Sequence, residues 1–266
     1  MLVVCNGMLR SGSTLQYSFV RTLLEITSRG IGAGHAEPSS IDDAQLARWI
    51  ESDTITVIKM HNIDSRIVSS LAEEKVAVCY IYRDIRHVAA SMRRKWNPLW
   101  PELIKSLDQA VASFETLTAI PGVLVQRYES VLADQVGSVQ QIANHLRIEL
   151  GQRDLDEVVR LCSPASVHEL ASGFTVRQKI SHSINSFGQR LPSRIRLALH
   201  RSGVVSTARR LGVSQSVYDK RTLLHPEHIT SGSLQVSGQF CDLSEVEMSE
   251  LADRYASFFQ QGNYVI

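Results

Sequence analysis

The sequence has few cysteines, and their spacing excludes the sites that paired cysteines build. The four cysteines are Cys5, Cys79, Cys162 and Cys241, and no two of them form a C-x-x-C pair. Zinc sites and redox motifs depend on such close spacing, and small secreted domains use a denser set of cysteines as disulfides. We therefore expect reduced, mostly buried thiols and no zinc or disulfide framework.

The chain also lacks long apolar runs and the features of a secretory leader. No apolar run approaches the ~18 residues that a membrane-spanning helix needs. Met1 leads directly into Leu2, Val3 and Val4, without the basic segment that precedes the apolar part of a leader. These two features predict a cytoplasmic protein without a transmembrane segment.

Net charge is almost absent, but the charges are unevenly distributed. The 266 residues contain 28 Lys and Arg against 27 Asp and Glu, a formal charge of +1. This balance argues against a protein that binds nucleic acid over its whole surface and against an acidic disordered chain. Residues 174–221, called the basic segment below, hold ten Lys and Arg and a single acid, Asp219.

Strand-like and helix-like patterns alternate over the first half of the sequence. Strands are predicted at residues 2–6, 55–58, 76–82 and 123–126, and helices at residues 13–28, 42–52, 64–74, 85–94 and 102–119, with a Gly/Pro/Ser-rich loop over residues 30–40. Strands that alternate with helices of about ten residues or more indicate a parallel sheet. We expect an α/β fold: a P-loop-type three-layer domain with a central parallel sheet flanked by helices.

The strand pattern fades after residue 150, where helical patterns dominate. Helices are predicted at residues 154–162, 193–200 and 244–259, with polar loops between them. We therefore expect one domain over residues 1–266. It comprises a nucleotide-binding α/β core over residues 1–150, a basic insertion or lid over residues 174–226, and a C-terminal loop and helix over residues 227–266.

Residues 7–14 have the spacing of a phosphate-binding loop. Gly7, Gly12 and Thr14 fit the pattern G-x-x-x-x-G-x-[ST] between a predicted strand and a predicted helix. In that context backbone N–H groups and a helix N-terminus converge on an anion. Ser13 stands where nucleotide-hydrolysing enzymes carry lysine, and the nearest cation is Arg10. The loop thus predicts phosphate binding, while Ser13 weakens the case for a kinase or NTPase.

Two later segments add to this loop. Residues 58–61 (IKMH) follow a predicted strand, and residues 82–91 (YRDIRHVAAS) follow another. Lys59 and His61 are two residues apart, so in an extended chain they point to the same side. They lie at the C-terminal end of a strand, where α/β folds bind ligands, and an imidazole with an ordinary pKa near 6.5 can accept a proton at neutral pH.

Taken together, residues 10–14, 58–61 and 82–91 resemble the sulfotransferases that use 3′-phosphoadenosine 5′-phosphosulfate (PAPS) as donor. The resemblance covers about the first 135 residues. It implies that Lys59 acts as electrophile and His61 as general base, and that Arg83 and Ser91 grip the 3′-phosphate. It further implies a place near the adenosine for Tyr128, and it assigns the 5′-phosphosulfate to Arg10, Ser11, Gly12, Ser13 and Thr14.

The sequence departs from this family in two places. Arg10 stands where many cytosolic members have lysine, a choice shared with the carbohydrate-directed branch. The loop over residues 228–240 lacks the basic residues that the family uses to contact the 3′-phosphate near its C-terminus. His228 or the backbone of residues 231–233 would have to replace them.

The resemblance implies an enzyme that moves a sulfuryl group from PAPS to a hydroxyl or amine, releases 3′-phosphoadenosine 5′-phosphate (PAP), and needs no metal. Small molecules, glycans and lipids all suit this chemistry as acceptors, and no nucleic-acid partner is expected. The basic segment is interpreted as an acceptor lid, as a patch for an anionic substrate or membrane surface, or as a solvated helix and loop. Two alternatives stay open: a P-loop kinase or NTPase, and a non-catalytic nucleotide-binding protein.

Overall fold

Five parallel strands form one sheet at the centre of the protein. A computed structural model describes residues 1–166, 223 and 242–265. The strands run β2-β3-β1-β4-β5 across the sheet, and every neighbouring pair is parallel. Their bounds are β1 Leu2–Gly7, β2 Gly30–His35, β3 Ile55–Met60, β4 Val76–Tyr82 and β5 Val123–Arg127. Because all strands are parallel, their carboxyl ends share one edge of the sheet, which is called the carboxyl edge below.

Helices cover both faces of the sheet. In the described ranges they are α1 Ser13–Ile26, α2 Asp43–Glu51, α3 Ser65–Ala72, α4 Ile85–Trp96, α5 Trp100–Thr118, α6 Tyr128–Ala133, α7 Gln135–His145, α8 Gln152–Leu161, α9 Glu245–Arg254 and α10 Ala256–Gln261. A short 3₁₀ helix spans Pro38–Ser40. The predicted α/β class, a central parallel sheet between helices, is confirmed.

The central strand β1 is apolar because it is buried on both of its faces. All six residues of β1 are buried. Val3 and Cys5 pack into the core cluster beneath α1, whereas Leu2 and Val4 pack into the cluster on the opposite face. A parallel strand covered on both faces is apolar at nearly every position rather than at alternate ones.

The prediction of a loop over residues 30–40 is wrong for its first half, because Gly30–His35 forms the edge strand β2. The segment GIGAGH has no apolar run, since glycine occupies the inward positions. A Cβ atom at Gly32 would lie 2.5 Å from the Tyr17 hydroxyl, so the close approach of α1 requires glycine there.

Between residues 128 and 150, where no element was predicted, the structure has α6 and α7.

Two basic residues of helix α4 form ion pairs with the C-terminal part of the chain. Arg93 pairs with Glu247 at 2.6 Å, and Arg94 pairs with Asp242 at 2.6 Å. The first pair fastens α9 to α4, and the second fastens the residues just before α9 to the same helix.

Several predictions fall on residues that the structure does not describe. They are the helix over residues 193–200, the basic segment, nearly all of the predicted insertion or lid over residues 174–226, the loop over residues 228–240, and Cys241. Of the helices within the described ranges, none combines the length and apolar character that a bilayer span requires.

Candidate functional site

The loop between β1 and α1 is a tight turn held by Ser11. The Ser11 N–H donates to the Met8 carbonyl at 3.2 Å, and its buried hydroxyl lies 2.8 Å from that carbonyl and 2.9 Å from the Ile81 carbonyl. Arg10 and Gly12 adopt positive φ angles of 65° and 88°. The Ser11 hydroxyl therefore fastens the loop to β4, which is a structural use of a residue predicted to contact the donor.

The first turn of α1 faces the carboxyl edge. Gly12 is the N-cap of α1 and offers no side chain to the first-turn N–H groups, among them those of Ser13 and Thr14. Such N–H groups have no partner inside the helix. Together with the helix dipole such N–H groups attract anions, which is the role that the sequence pattern predicts for this loop.

Tyr128 and Arg83 pack directly against this loop. A Cβ atom at Gly12 would lie 2.4 Å from the Tyr128 ring, so the ring rests on bare backbone. The Arg83 guanidinium carbon lies 4.5 Å from the centroid of the same ring. Tyr128 thus contacts two other predicted site residues, Gly12 and Arg83.

Two hydrogen bonds join the loop to the end of β4 and to α4. Arg10 Nε donates to Ser91 Oγ at 2.9 Å, and Arg83 Nη1 donates to the Arg10 carbonyl at 3.3 Å. Arg83 Nε is buried and has no hydrogen-bond partner among the described residues. A buried guanidinium N–H without a partner destabilises the fold, so this atom marks a place where a hydrogen-bond acceptor fits.

Lys59 and His61 meet at the end of β3. Lys59 is 7% exposed, and its Nζ lies 2.9 Å from His61 Nε2. His61 Nδ1 lies 2.9 Å from the Gly7 carbonyl oxygen. Because a carbonyl only accepts, Nδ1 is assigned as the protonated nitrogen, and Nε2 presents its lone pair to the Lys59 ammonium group.

The surroundings of these two residues depress both pKa values. Burial lowers the pKa of His61 to about 4, and the charge of Lys59 contributes in the same direction. Burial lowers the pKa of Lys59 to about 8. At neutral pH His61 is therefore an uncharged proton acceptor and most of Lys59 is a cation. The ordinary pKa near 6.5 that was expected for His61 does not hold in this environment.

A second imidazole, absent from the sequence-based prediction, lies beside the first. His35 ends β2 opposite Lys59 in the sheet, and its ring centroid lies 5.7 Å from that of His61. The Glu37 carboxylate lies 3.1 Å from His35 Nε2 and accepts a hydrogen bond from Asn62 at 3.0 Å. His35 was missed because β2 was assigned to a loop. Recognising that strand would have placed His35 at the carboxyl edge.

The predicted residues thus form two groups on either side of residues 7–14. The first group is Arg83, Ser91 and Tyr128, and the second is Lys59 and His61. Gly7 touches the second group through its carbonyl oxygen, and Arg10 touches the first. The arrangement leaves the first turn of α1 between an arginine side chain at one end and a neutral imidazole beside a cation at the other.

No protein-family model matches the sequence, and no curated protein matches it significantly. Solved structures, however, are similar in fold. The mouse sulfotransferase SULT7A1 complexed with PAP aligns at a TM-score of 0.55 and 14% identity, over 97% of this chain and 84% of that one. Retinol dehydratase in complex with androsterone and the inactive cofactor PAP aligns at 0.51 and 13% identity, over 96% and 79%. Retinol dehydratase with retinol and PAP aligns at 0.52 and 13%, over 96% and 80%. The chain therefore has the sulfotransferase fold.

Proposed function

We propose that this chain, folded as the sulfotransferases are, transfers a sulfuryl group from PAPS to a hydroxyl or amine of an acceptor. The observation that carries the proposal is the pair of hydrogen bonds that ties Arg10 to Ser91 and Arg83 to the Arg10 carbonyl. They join the first and third predicted motifs, which are more than 70 residues apart in sequence, around a single anion-binding turn.

The donor would lie along this turn, because each of its anionic parts meets a suitable group. The N–H groups at the start of α1 and the Arg10 guanidinium would hold the 5′-phosphosulfate. The buried Arg83 Nε, which lacks a partner among the described residues, would donate to the 3′-phosphate together with the Ser91 hydroxyl. Tyr128, already packed on Gly12, would offer its ring to the adenine.

Lys59 and His61 would perform the transfer. The acceptor oxygen attacks sulfur, the sulfur–oxygen bond to the 5′-phosphate breaks, and PAP leaves with the negative charge. His61 Nε2 takes the proton of the acceptor, and Lys59 stabilises charge on the departing oxygen. Lys59 has to leave His61 Nε2 to do so, and an anionic donor beside it would supply the attraction that draws it away.

Several properties of the activity are inferred only from this chemistry. Lys59 and Arg10 neutralise charge in the proposed step, so the step calls for no metal. The acceptor is a small molecule, a glycan or a lipid. The basic segment lies outside the described residues, and the proposed mechanism assigns it no role.

Titration with PAP tests the proposal. Wild-type protein should bind PAP and discriminate against ATP with Mg²⁺ in isothermal titration calorimetry. Arg83→Ala should weaken PAP binding by roughly 10- to 150-fold, since hydrogen bonds to charged groups contribute about 1.5–3 kcal/mol. Arg153→Ala, which removes an exposed arginine from α8, is the matched control and should bind as wild type does. A preference for ATP with Mg²⁺ would instead favour the kinase interpretation.

The pH dependence of kcat/KM should be bell-shaped. His61 must be neutral to accept a proton, so activity should fall as the pH drops through its pKa of about 4. Lys59 must be protonated to stabilise charge, so activity should fall as the pH rises through its pKa of about 8. The profile of kcat/KM reports the free enzyme, the state to which these two pKa values belong. An acidic limb near pH 6.5 would contradict the depressed pKa of His61.

A further inference from the structure

A small cavity opens beside His61 on the face of the sheet that α3 and α5 cover. Its volume is about 200 Å³, which is below the range of roughly 300–1,000 Å³ that is typical for drug-sized ligands. Asn6, the last side chain of β1 before the phosphate-binding loop, lines it together with His61. The proposed base and a buried carboxamide therefore share one cavity.

Asn6 is an unusual residue for this position. It is 1% exposed, and neither its amide nitrogen nor its amide oxygen has a hydrogen-bond partner within the described residues. Along β1 it lies on the same face as Leu2 and Val4, which belong to an apolar cluster. A leucine would suit that face, and a buried carboxamide without partners destabilises a fold. Packing alone does not explain the asparagine.

The other walls of the cavity limit what it can hold. Ile63, Val68 and Leu117 are apolar, Ser113 adds a hydroxyl, and none of the lining residues is an acid, a lysine or an arginine. His61, the one titratable group in the lining, is neutral at pH 7 because its pKa is about 4. None of the lining side chains would offer an ionised ligand a counter-charge. The walls suit a neutral molecule with an apolar body and more than one polar group.

We propose that the acceptor enters this cavity, and that Asn6 binds a second polar group at the end of the acceptor remote from the oxygen that is sulfated. The inference rests on the proposed function and adds an acceptor class to it: small, neutral, single-ring molecules with one hydroxyl at His61 and a group at the far end that both donates and accepts hydrogen bonds. Asn6 is then a specificity-determining residue, because its two amide atoms are paired only when such a group is present.

Two probes of nearly equal shape test this proposal without any turnover. 4-Hydroxybenzamide and 4-isopropylphenol each carry one phenolic hydroxyl, and they differ in an amide or an isopropyl group at the opposite end. Their binding to wild type, Asn6→Leu and Asn144→Leu would be measured by calorimetry, with and without PAP. Asn144 is exposed on α7, so its variant makes the same chemical change away from the cavity.

The proposal expects wild type and Asn144→Leu to bind the amide at least about tenfold more tightly than the isopropyl compound, a difference of about 1.4 kcal/mol. Asn6→Leu should reverse that preference. Its unfolding temperature in the absence of ligand should equal or exceed that of wild type, because the substitution removes an unpaired buried amide.

Equal binding of the two probes by wild type, or binding of neither, would overturn the proposal whether or not Asn6→Leu folds. A lower unfolding temperature for Asn6→Leu, with both probes weakened alike, would also overturn it and assign Asn6 a structural role. The PAP titration tests the sulfotransferase proposal separately from the proposal about Asn6. Failure to bind PAP would contradict the sulfotransferase proposal, whereas the comparison of the probes would still decide whether Asn6 recognises a polar group.

Discussion

Replacing His61 by alanine should lower kcat by roughly 10²- to 10⁴-fold, the range that a general base contributes. His61 Nε2 carries the ring's lone pair, because Nδ1 is protonated and donates a hydrogen bond to the Gly7 carbonyl. The groups proposed to bind the nucleotide, Arg83, Ser91 and Tyr128, lie on the other side of the loop. The affinity for PAP should therefore remain close to that of wild type.

Steady-state turnover and PAP calorimetry on the same preparation measure both quantities. His145→Ala is the matched control, because His145 is also half-buried but lies at the end of α7. It should keep wild-type turnover once its fold is verified by thermal unfolding. Equal losses of turnover and PAP affinity in His61→Ala would show that His61 supports the loop through Gly7 instead of accepting a proton.

Lys59→Met should produce the second large effect, a decrease of roughly 10²- to 10³-fold in kcat, as is typical when a group that stabilises transition-state charge is removed. Methionine keeps the length and apolar stem of the side chain. Since Lys59 is 7% exposed, the loss of a buried charge should leave the unfolding temperature unchanged or raise it. A large decrease in turnover with intact stability would assign the loss to chemistry.

For the same variant we also expect a change in the pKa of the neighbouring His61. The charge of Lys59 is one of the two main causes that depress the pKa of His61, the larger being burial. Removing the charge should move the acidic limb of the kcat/KM profile to higher pH, although burial should keep it below 6.5. Lys105→Met, at an exposed site on α5, should leave both turnover and the limb in place. An unmoved limb in Lys59→Met would mean that the limb does not report His61.

Most elements of the described fold could be predicted from local sequence, because their side chains repeat with the period of the element that they form. β4 is apolar throughout, and α4 begins after the capping carboxylate of Asp84 and ends at Asn97, which adopts a left-handed conformation. β2 could not be predicted in this way. Its inward positions are glycines, and at Gly32 the reason lies in Tyr17, a residue of α1 that packs against it.

Some features of the candidate site could likewise be predicted from local sequence, and others could not. The spacing of residues 7–14 and the two-residue separation of Lys59 and His61 are local properties, and they determine a turn before a helix and two side chains on one side of a strand. From these the sequence by itself predicted that the loop binds an anion and that a base and an electrophile lie at the ends of parallel strands.

Only the tertiary structure decided the state of these groups and their neighbours. It joined Arg10 to Ser91, brought His35 beside His61 and Glu37 beside His35, and buried Asn6 next to a cavity. It also lowered the pKa of His61 to about 4. Burial and electrostatic potential depend on atoms from segments far apart in the chain, so no local pattern encodes them.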